Sequence, residues 1–115
     1  MSYNDDNIFA KILNKKLSTD IIMENKHAIA FHDIVPQAPI HILIIPKGKY
    51  IKYDDFINKA SKDEIYHFFN LINQLVIDYN LEKSGYRLIT NAGGNANQEV
   101  PHLHFHLLGG KNLGK

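Results

Sequence analysis

Seven histidines occur in these 115 residues, and three of them, His102, His104 and His106, stand at alternate positions in the run PHLHFHLLGG. Leu103, Phe105 and Leu107 fill the positions between and after them. Strict polar/apolar alternation is the pattern of a half-buried β-strand. Successive strand side chains point to opposite faces, so the three imidazoles share one face while the apolar residues bury the other. Imidazole is the side chain whose unperturbed pKa lies nearest physiological pH. Such a row suits metal binding, phosphate binding or catalysis.

Each chemistry makes a different demand. Three His plus a water is a known zinc set, but the first and third histidines lie about 13 Å apart along an extended strand and cannot easily grip one ion. Further donors would have to come from His32, Asp33, His41 or Glu99. A polar face without chemistry would need a hydrogen-bond partner for every clustered imidazole. Phosphoryl chemistry asks for a neutral imidazole as nucleophile and a second one to hold phosphate oxygens. The loop AGGNANQ (92–98) directly before the histidines offers backbone N–H groups of the kind that form anion-binding concavities.

The elements that must position these groups are legible as patterns. Ile8, Phe9, Ile12 and Leu13 make one apolar face of a short helix near 5–14. TDIIME (19–24) and HAIAFHD (27–33) read as strands joined by a tight turn at Asn25-Lys26. VPQAP (35–39) is a loop, and IHILIIP (40–46) a strand apolar enough to be buried on both faces. Residues 50–60 carry no clear period. Ser61 and Glu64 form a capping box, and apolar residues then recur at helical spacing from Ile65 to Tyr79 in a stripe wide enough to meet a partner subunit. GYRLITN (85–91) is a strand, and the histidine strand follows the Gly/Asn loop until Gly109-Gly110 stop it. Short links favour antiparallel pairing. The expected fold is α+β, a five-stranded, mostly antiparallel sheet with two helices, in a single domain spanning 1–115.

Composition narrows the function classes. Hydrophobic residues make up 44% and charged residues 22%, ordinary for a globular chain. There is no Cys, hence no disulfide framework and no thiolate metal site. The net charge of +1 is spread, with no basic face for nucleic acid. The acidic N-terminal stretch is unlike a signal peptide, and no apolar run approaches a membrane span. A cytoplasmic protein that touches neither membrane nor nucleic acid is expected. His27, in a turn, and His67, on the long helix, read as solvated, and His32 as pointing away from any site. Lys47, Lys49 and Lys52 read as a solvated loop.

HLHFHLL resembles the H-φ-H-φ-H-φ-φ motif of the histidine triad (HIT) superfamily. AFHDIVPQAPIHILIIPK (30–47), GYRLITNAGGN (85–95) and NIFAKIL (7–13) are similar to its nucleotide-binding branch, the purine nucleoside phosphoramidases, and the similarity runs collinearly over nearly the whole chain. The resemblance implies that His104 is a nucleophile attacking the α-phosphorus of a nucleoside 5′-phosphoramidate. A nucleotidyl-histidine would form, an amine would leave, and water would release the monophosphate. His106 and His41 match phosphate contacts. His102 matches the position whose backbone carbonyl accepts from the nucleophile's other ring nitrogen. Asn91 matches a phosphate-contacting asparagine, and Asp33 a ribose-binding acid. Ile34, with Ile8, Phe9, Ile12 and Phe31, matches the purine slot, although Ile12 and Phe31 would serve equally as core. Asn97, Gln98, Glu99 and Val100 match the segment lining the phosphate.

The same resemblance marks departures. Many relatives open with C-x-x-C as zinc ligands; Asn7 and Ala10 stand there, and Lys49 replaces a third ligand, so no structural zinc and no cofactor are expected. Where the branch reads G-Q-S-V, this chain has Asn97-Gln98-Glu99-Val100, and Glu99 is expected to contribute mainly its backbone N–H. The implied ligand is a purine nucleoside monophosphate or its phosphoramidate, and the implied assembly a homodimer that continues the sheet. Two other functions fit the motif: dinucleoside polyphosphate hydrolysis, and non-catalytic AMP or GMP binding by a regulatory module.

Overall fold

The computed structural model describes residues 2–115. Five strands, β1 (Ile21–Glu24), β2 (Ala28–His32), β3 (Ile40–Pro46), β4 (Tyr86–Ile89) and β5 (Phe105–Gly109), form one sheet in the order β1-β2-β3-β5-β4. Every neighbouring pair is antiparallel. The expected α+β sheet is present, with more helix than the sequence patterns suggest. Besides α1 (Ile8–Leu13) and α3 (Lys62–Asp78), two short helices occur, α2 (Tyr53–Lys59) and α4 (Leu81–Ser84). Helix α2 occupies the stretch without a clear period. Of its apolar residues only Phe56 is buried, while Tyr53 and Ile57 stay exposed, and its N-cap, Lys52, makes no side-chain cap bond.

Local chemistry sets the boundaries. Asn7 caps α1, its Oδ1 accepting from the Ala10 amide at 2.8 Å. Asn25 closes the β1–β2 turn, its Oδ1 accepting from the amides of His27 and Ala28 at 2.8 and 2.9 Å. The Ser61–Glu64 capping box starts α3, with both reciprocal bonds formed.

Apolar alternation divides the interior into two faces of the sheet. Ile42 and Ile44 of β3, with Leu103, Phe105 and Leu107, pack beneath α3 against Phe68, Leu71, Ile72 and Leu75. Leu43 and Ile45 point the other way and join Phe9 of α1 with Ile29 and Phe31 of β2. Strand β3 is therefore buried on both sides, as its unbroken apolar run requires. Among the described residues, no helix is long and apolar enough to cross a membrane.

The histidine strand is shorter than its alternation suggests. Of the triad, only His106 pairs in the ladder. The backbone of 102–104 is used elsewhere: the Leu103 amide donates to the Tyr50 carbonyl at 2.8 Å, the His102 carbonyl accepts from the His104 ring at 2.8 Å, and the His104 carbonyl accepts from the Thr90 hydroxyl at 2.8 Å. Groups so engaged are not free to form a strand ladder.

Candidate active site

Beyond the edge of α1, the sheet face that carries the histidines opens into a cavity of about 410 Å³, within the range of small-ligand sites. The cavity collects residues from distant parts of the chain: Ile8 and Phe9 of α1, Asp33, Ile34 and Gln37 after β2, Leu43 of β3, Asn91 after β4, the loop residues Asn97, Gln98, Glu99 and Val100, and His104 and His106. Most of the expected site residues meet here. His41 lies one layer behind, against His106, and His102 is fully buried behind His104. Phe31 is not a wall of the cavity. It sits in the core at 5.9 Å from the ring of Phe9, supporting it from below. Ile12 packs on the same core and lines a different depression. Both side chains belong to the inner side of the α1 packing, where apolar surface is buried against apolar surface.

The neighbours of each imidazole dictate which nitrogen carries its proton, because a carbonyl can only accept and an amide N–H can only donate. His104 Nδ1 faces the His102 carbonyl at 2.8 Å, so it is the N–H, and the Nε2 lone pair is left to the cavity. His102 Nε2 faces the Pro46 carbonyl at 2.9 Å and must donate, so its Nδ1 accepts from the Tyr3 hydroxyl at 2.6 Å. The Gln37 amide donates to His41 Nδ1 at 3.0 Å, so His41 donates from Nε2 to His106 Nδ1 at 2.9 Å. His106 then carries its own proton on Nε2, as a donor for the cavity. Asp33 Oδ2 sits 3.4 Å from His41 Nε2, while its Oδ1 accepts from the Val35 amide at 2.8 Å.

Burial keeps this row neutral. It lowers the pKa of His102 from 6.5 to about 4, against the opposing pull of the Pro46 carbonyl. Burial likewise lowers His104, opposed by its bond to the His102 carbonyl and by the negative charges of Asp33 and Glu99. His106 is lowered by burial and then by the neighbouring His104 and His41. The cavity thus presents one unprotonated nitrogen and, beside it, a donor on a ring 5.3 Å away.

Several of these residues also make contacts that the sequence does not show. Gln98 is spent on the loop itself: its Oε1 accepts from the Gly93 amide at 2.9 Å, and its Nε2 donates to the carbonyls of Ile51 and Val100 at 2.6 and 3.0 Å. It shapes the loop, together with Gly93 at φ 81° and Asn97 at φ 55°, both in the left-handed region. Glu99 lines the cavity, its charge reaches His104, and it has no ion-pair partner among the described residues. Lys47, Lys49 and Lys52 pair with Glu24, Asp5 and Asp54. Tyr3, Gln37, Leu43 and Thr90 were not singled out from the sequence. Only long-range proximity gives them a place, and no local motif carries that information.

Among the described residues, two groups have donor atoms close enough together to hold a metal: Asp33, His41 and His106 at the cavity, and His27, Asp63 and His67 outside it. In the first, the His41–His106 hydrogen bond already uses the facing nitrogens.

Residues 14–113 match the HIT domain family. The chain belongs to the HIT family. A HIT-like protein of Rickettsia prowazekii, itself uncharacterized, is 54% identical over 96% of this chain and 92% of its own length. A HIT family hydrolase from Legionella pneumophila has the same fold, with a TM-score of 0.86 and 35% identity over 95% of this chain and 96% of that one. A histidine triad nucleotide-binding protein from Candida albicans superposes with a TM-score of 0.78 at 30% identity, covering 89% of this chain and 73% of that one. His102, His104 and His106 lie within the matched region. Asn7, the helix cap of α1, also donates to the Tyr3 hydroxyl at 3.1 Å.

Proposed function

We propose that this HIT protein is a hydrolase of purine nucleoside 5′-phosphoramidates, working through a nucleotidyl-histidine intermediate. The observation that carries the reading is the His104 ring: Nδ1–H is held by the His102 carbonyl, and Nε2 is free at the cavity beside a donor from His106. A neutral, oriented imidazole is a nucleophile that needs no separate base. The hydrolase from Legionella and the nucleotide-binding protein from Candida support the general chemistry and the ligand class.

The reaction would run in two displacements. The Nε2 lone pair forms a bond to phosphorus as the P–N bond breaks, and the departing amine takes up a proton from solvent at the open cavity. Positive charge developing on the ring is stabilised through Nδ1–H by the His102 carbonyl, whose position is fixed before the reaction starts. Water then adds to phosphorus and gives up a proton to solvent, the Nε2–P bond breaks, and the pair returns to Nε2. The monophosphate leaves. His106 Nε2–H and the amides of the 93–99 loop would hold the non-bridging oxygens, and Asn91 would hold one at the rim. Asp33 would accept from ribose hydroxyls. Ile34 is 90% exposed and Ile8 45% exposed at this rim, an apolar pair open to solvent and suited to a purine face.

The proposed assembly is a homodimer. Strand β4 forms one edge of the sheet, with Tyr86 and Leu88 exposed, and α3 exposes Tyr66 and Ile77. An unpaired edge beside exposed apolar groups is suited to pairing with a second copy.

The deciding experiment supplies a fluorogenic adenosine phosphoramidate and a diadenosine polyphosphate to the protein and to His104→Ala. Cleavage of the phosphoramidate alone, lost in the variant, supports the proposal. Preferential cleavage of the polyphosphate would favour the dinucleoside branch. Nucleotide binding without turnover of either would leave a regulatory binding module instead.

A further inference from the structure

His27 and His67 lie far apart in sequence, yet their rings come within 5.5 Å, centroid to centroid, on the α3 side of the sheet. Asp63 stands one turn before His67 on α3, on the same helix face. One ligand atom from each of the three lies within 4.8 Å of the others. We propose that His27, Asp63 and His67 form a binding site for a divalent transition ion, zinc in the first place, which staples the β1–β2 hairpin to α3.

Three observations support the site. First, His67 is already in the form a ligand needs. Its Nδ1 faces the Asp63 carbonyl at 2.8 Å and therefore carries the proton, which leaves the Nε2 lone pair free. An imidazole whose second nitrogen is held by a backbone carbonyl is the usual arrangement of a metal-bound histidine. Second, the two backbones are fixed relative to each other by one residue. Asn25 accepts from the His27 amide at 2.8 Å through Oδ1, and its Nδ2 donates to the His67 carbonyl at 2.9 Å. The Lys47 amide holds the His27 carbonyl at 2.8 Å. Third, the donors are unspent. Among the described residues, neither the His27 ring nor the Asp63 carboxylate has an ion-pair partner.

The dimensions fit after a small closure. Zinc–ligand distances of about 2.0–2.1 Å put donors about 3.4 Å apart in a tetrahedron. Donors now spread over up to 4.8 Å draw in by rotation of the His27 ring and the Asp63 carboxylate. Two imidazoles, one carboxylate and a water make a four-coordinate set. Glu64, whose carboxylate is engaged by the Ser61 amide and the Tyr50 hydroxyl, is near enough to His27 to interact with it and adds negative potential without serving as a ligand. The site sits on the face opposite the cavity, so the inference does not depend on the proposed activity.

Zinc chloride competed against a chelating dye tests it, with cobalt substitution and thermal unfolding as further readouts. One equivalent of tightly held zinc, a visible cobalt band and a raised unfolding midpoint are expected. All three should be lost in His67→Gln and in His27→Gln and weakened in Asp63→Asn. They should persist in His41→Gln, which disables the donor cluster at the cavity. No uptake by the unmodified protein overturns the site. So does uptake that survives both His67→Gln and His27→Gln or disappears only with His41→Gln.

Discussion

The hydroxyl of Tyr3 donates to Nδ1 of His102 across 2.6 Å and 99 residues of sequence. The N-terminal segment thereby holds the first triad histidine, whose carbonyl in turn holds the ring of His104. Asn7 completes the chain by donating to Tyr3 Oη at 3.1 Å and to the Asn4 carbonyl at 2.9 Å. Phe9 packs edge-on against His104 at 4.9 Å, so α1 and the strap before it together fix the orientation of the triad.

Tyr3→Phe removes the donor and leaves His102 Nδ1 buried without a partner. The cost of such an orphaned acceptor is about 1–3 kcal/mol. Urea unfolding at pH 7 is expected to show a loss of that order. Proton–nitrogen correlation spectra should still show His102 as the Nε2–H tautomer, because the Pro46 carbonyl persists. A shift to the Nδ1–H form would refute the assignment.

Acid destabilisation follows from the same histidine. The His102 pKa is about 4 in the fold and 6.5 as the reference value. Between these values the unfolded chain binds the proton and the folded one does not, so stability is full above pH 6.5 and falls as pH drops towards 4. A shift of this size corresponds to about 3 kcal/mol for His102 alone, and His104 and His106 are lowered in the same direction. Unfolding free energies measured at pH 7 and pH 4.5 should differ accordingly. A flat profile would mean that the triad is not buried as described.

Glu99 places a negative charge where it favours the protonated form of His104. Glu99→Gln should therefore lower the His104 pKa and, in the proposed phosphoramidate hydrolysis, move the acid limb of turnover to lower pH. If Glu99 also protonates the departing amine, the variant will lose kcat most strongly on substrates with basic leaving groups. An unmoved acid limb would show that the carboxylate does not act on His104.

Ile34 is 90% exposed, so its replacement should leave the fold unaffected. If the side chain covers a purine, Ile34→Ser forfeits most of the roughly 1.5–3 kcal/mol gained by burying such a group. Calorimetry with AMP or GMP is expected to show affinity reduced about tenfold or more, with an unchanged unfolding midpoint. Equal affinities in the two proteins would remove Ile34 from the proposed purine site.

By itself the sequence determined the sheet and the identity of the chemical row. Period-two alternation is a local property, and it fixed that His102, His104 and His106 face away from Leu103, Phe105 and Leu107, whichever residues lay opposite. The apolar run of β3 announced burial on both faces for the same reason, and the Ser61–Glu64 box announced the start of α3. The short helices α2 and α4 escaped because one or two turns carry too little period to register. Only the tertiary structure decided where each proton sits. That depends on Pro46, Gln37, Tyr3 and the His102 carbonyl, groups brought to the rings by folding and leaving no trace in local spacing. It also brought together His27 and His67, which as isolated positions on a turn and a helix read as solvated, and which Asn25 draws into one cluster across 42 residues.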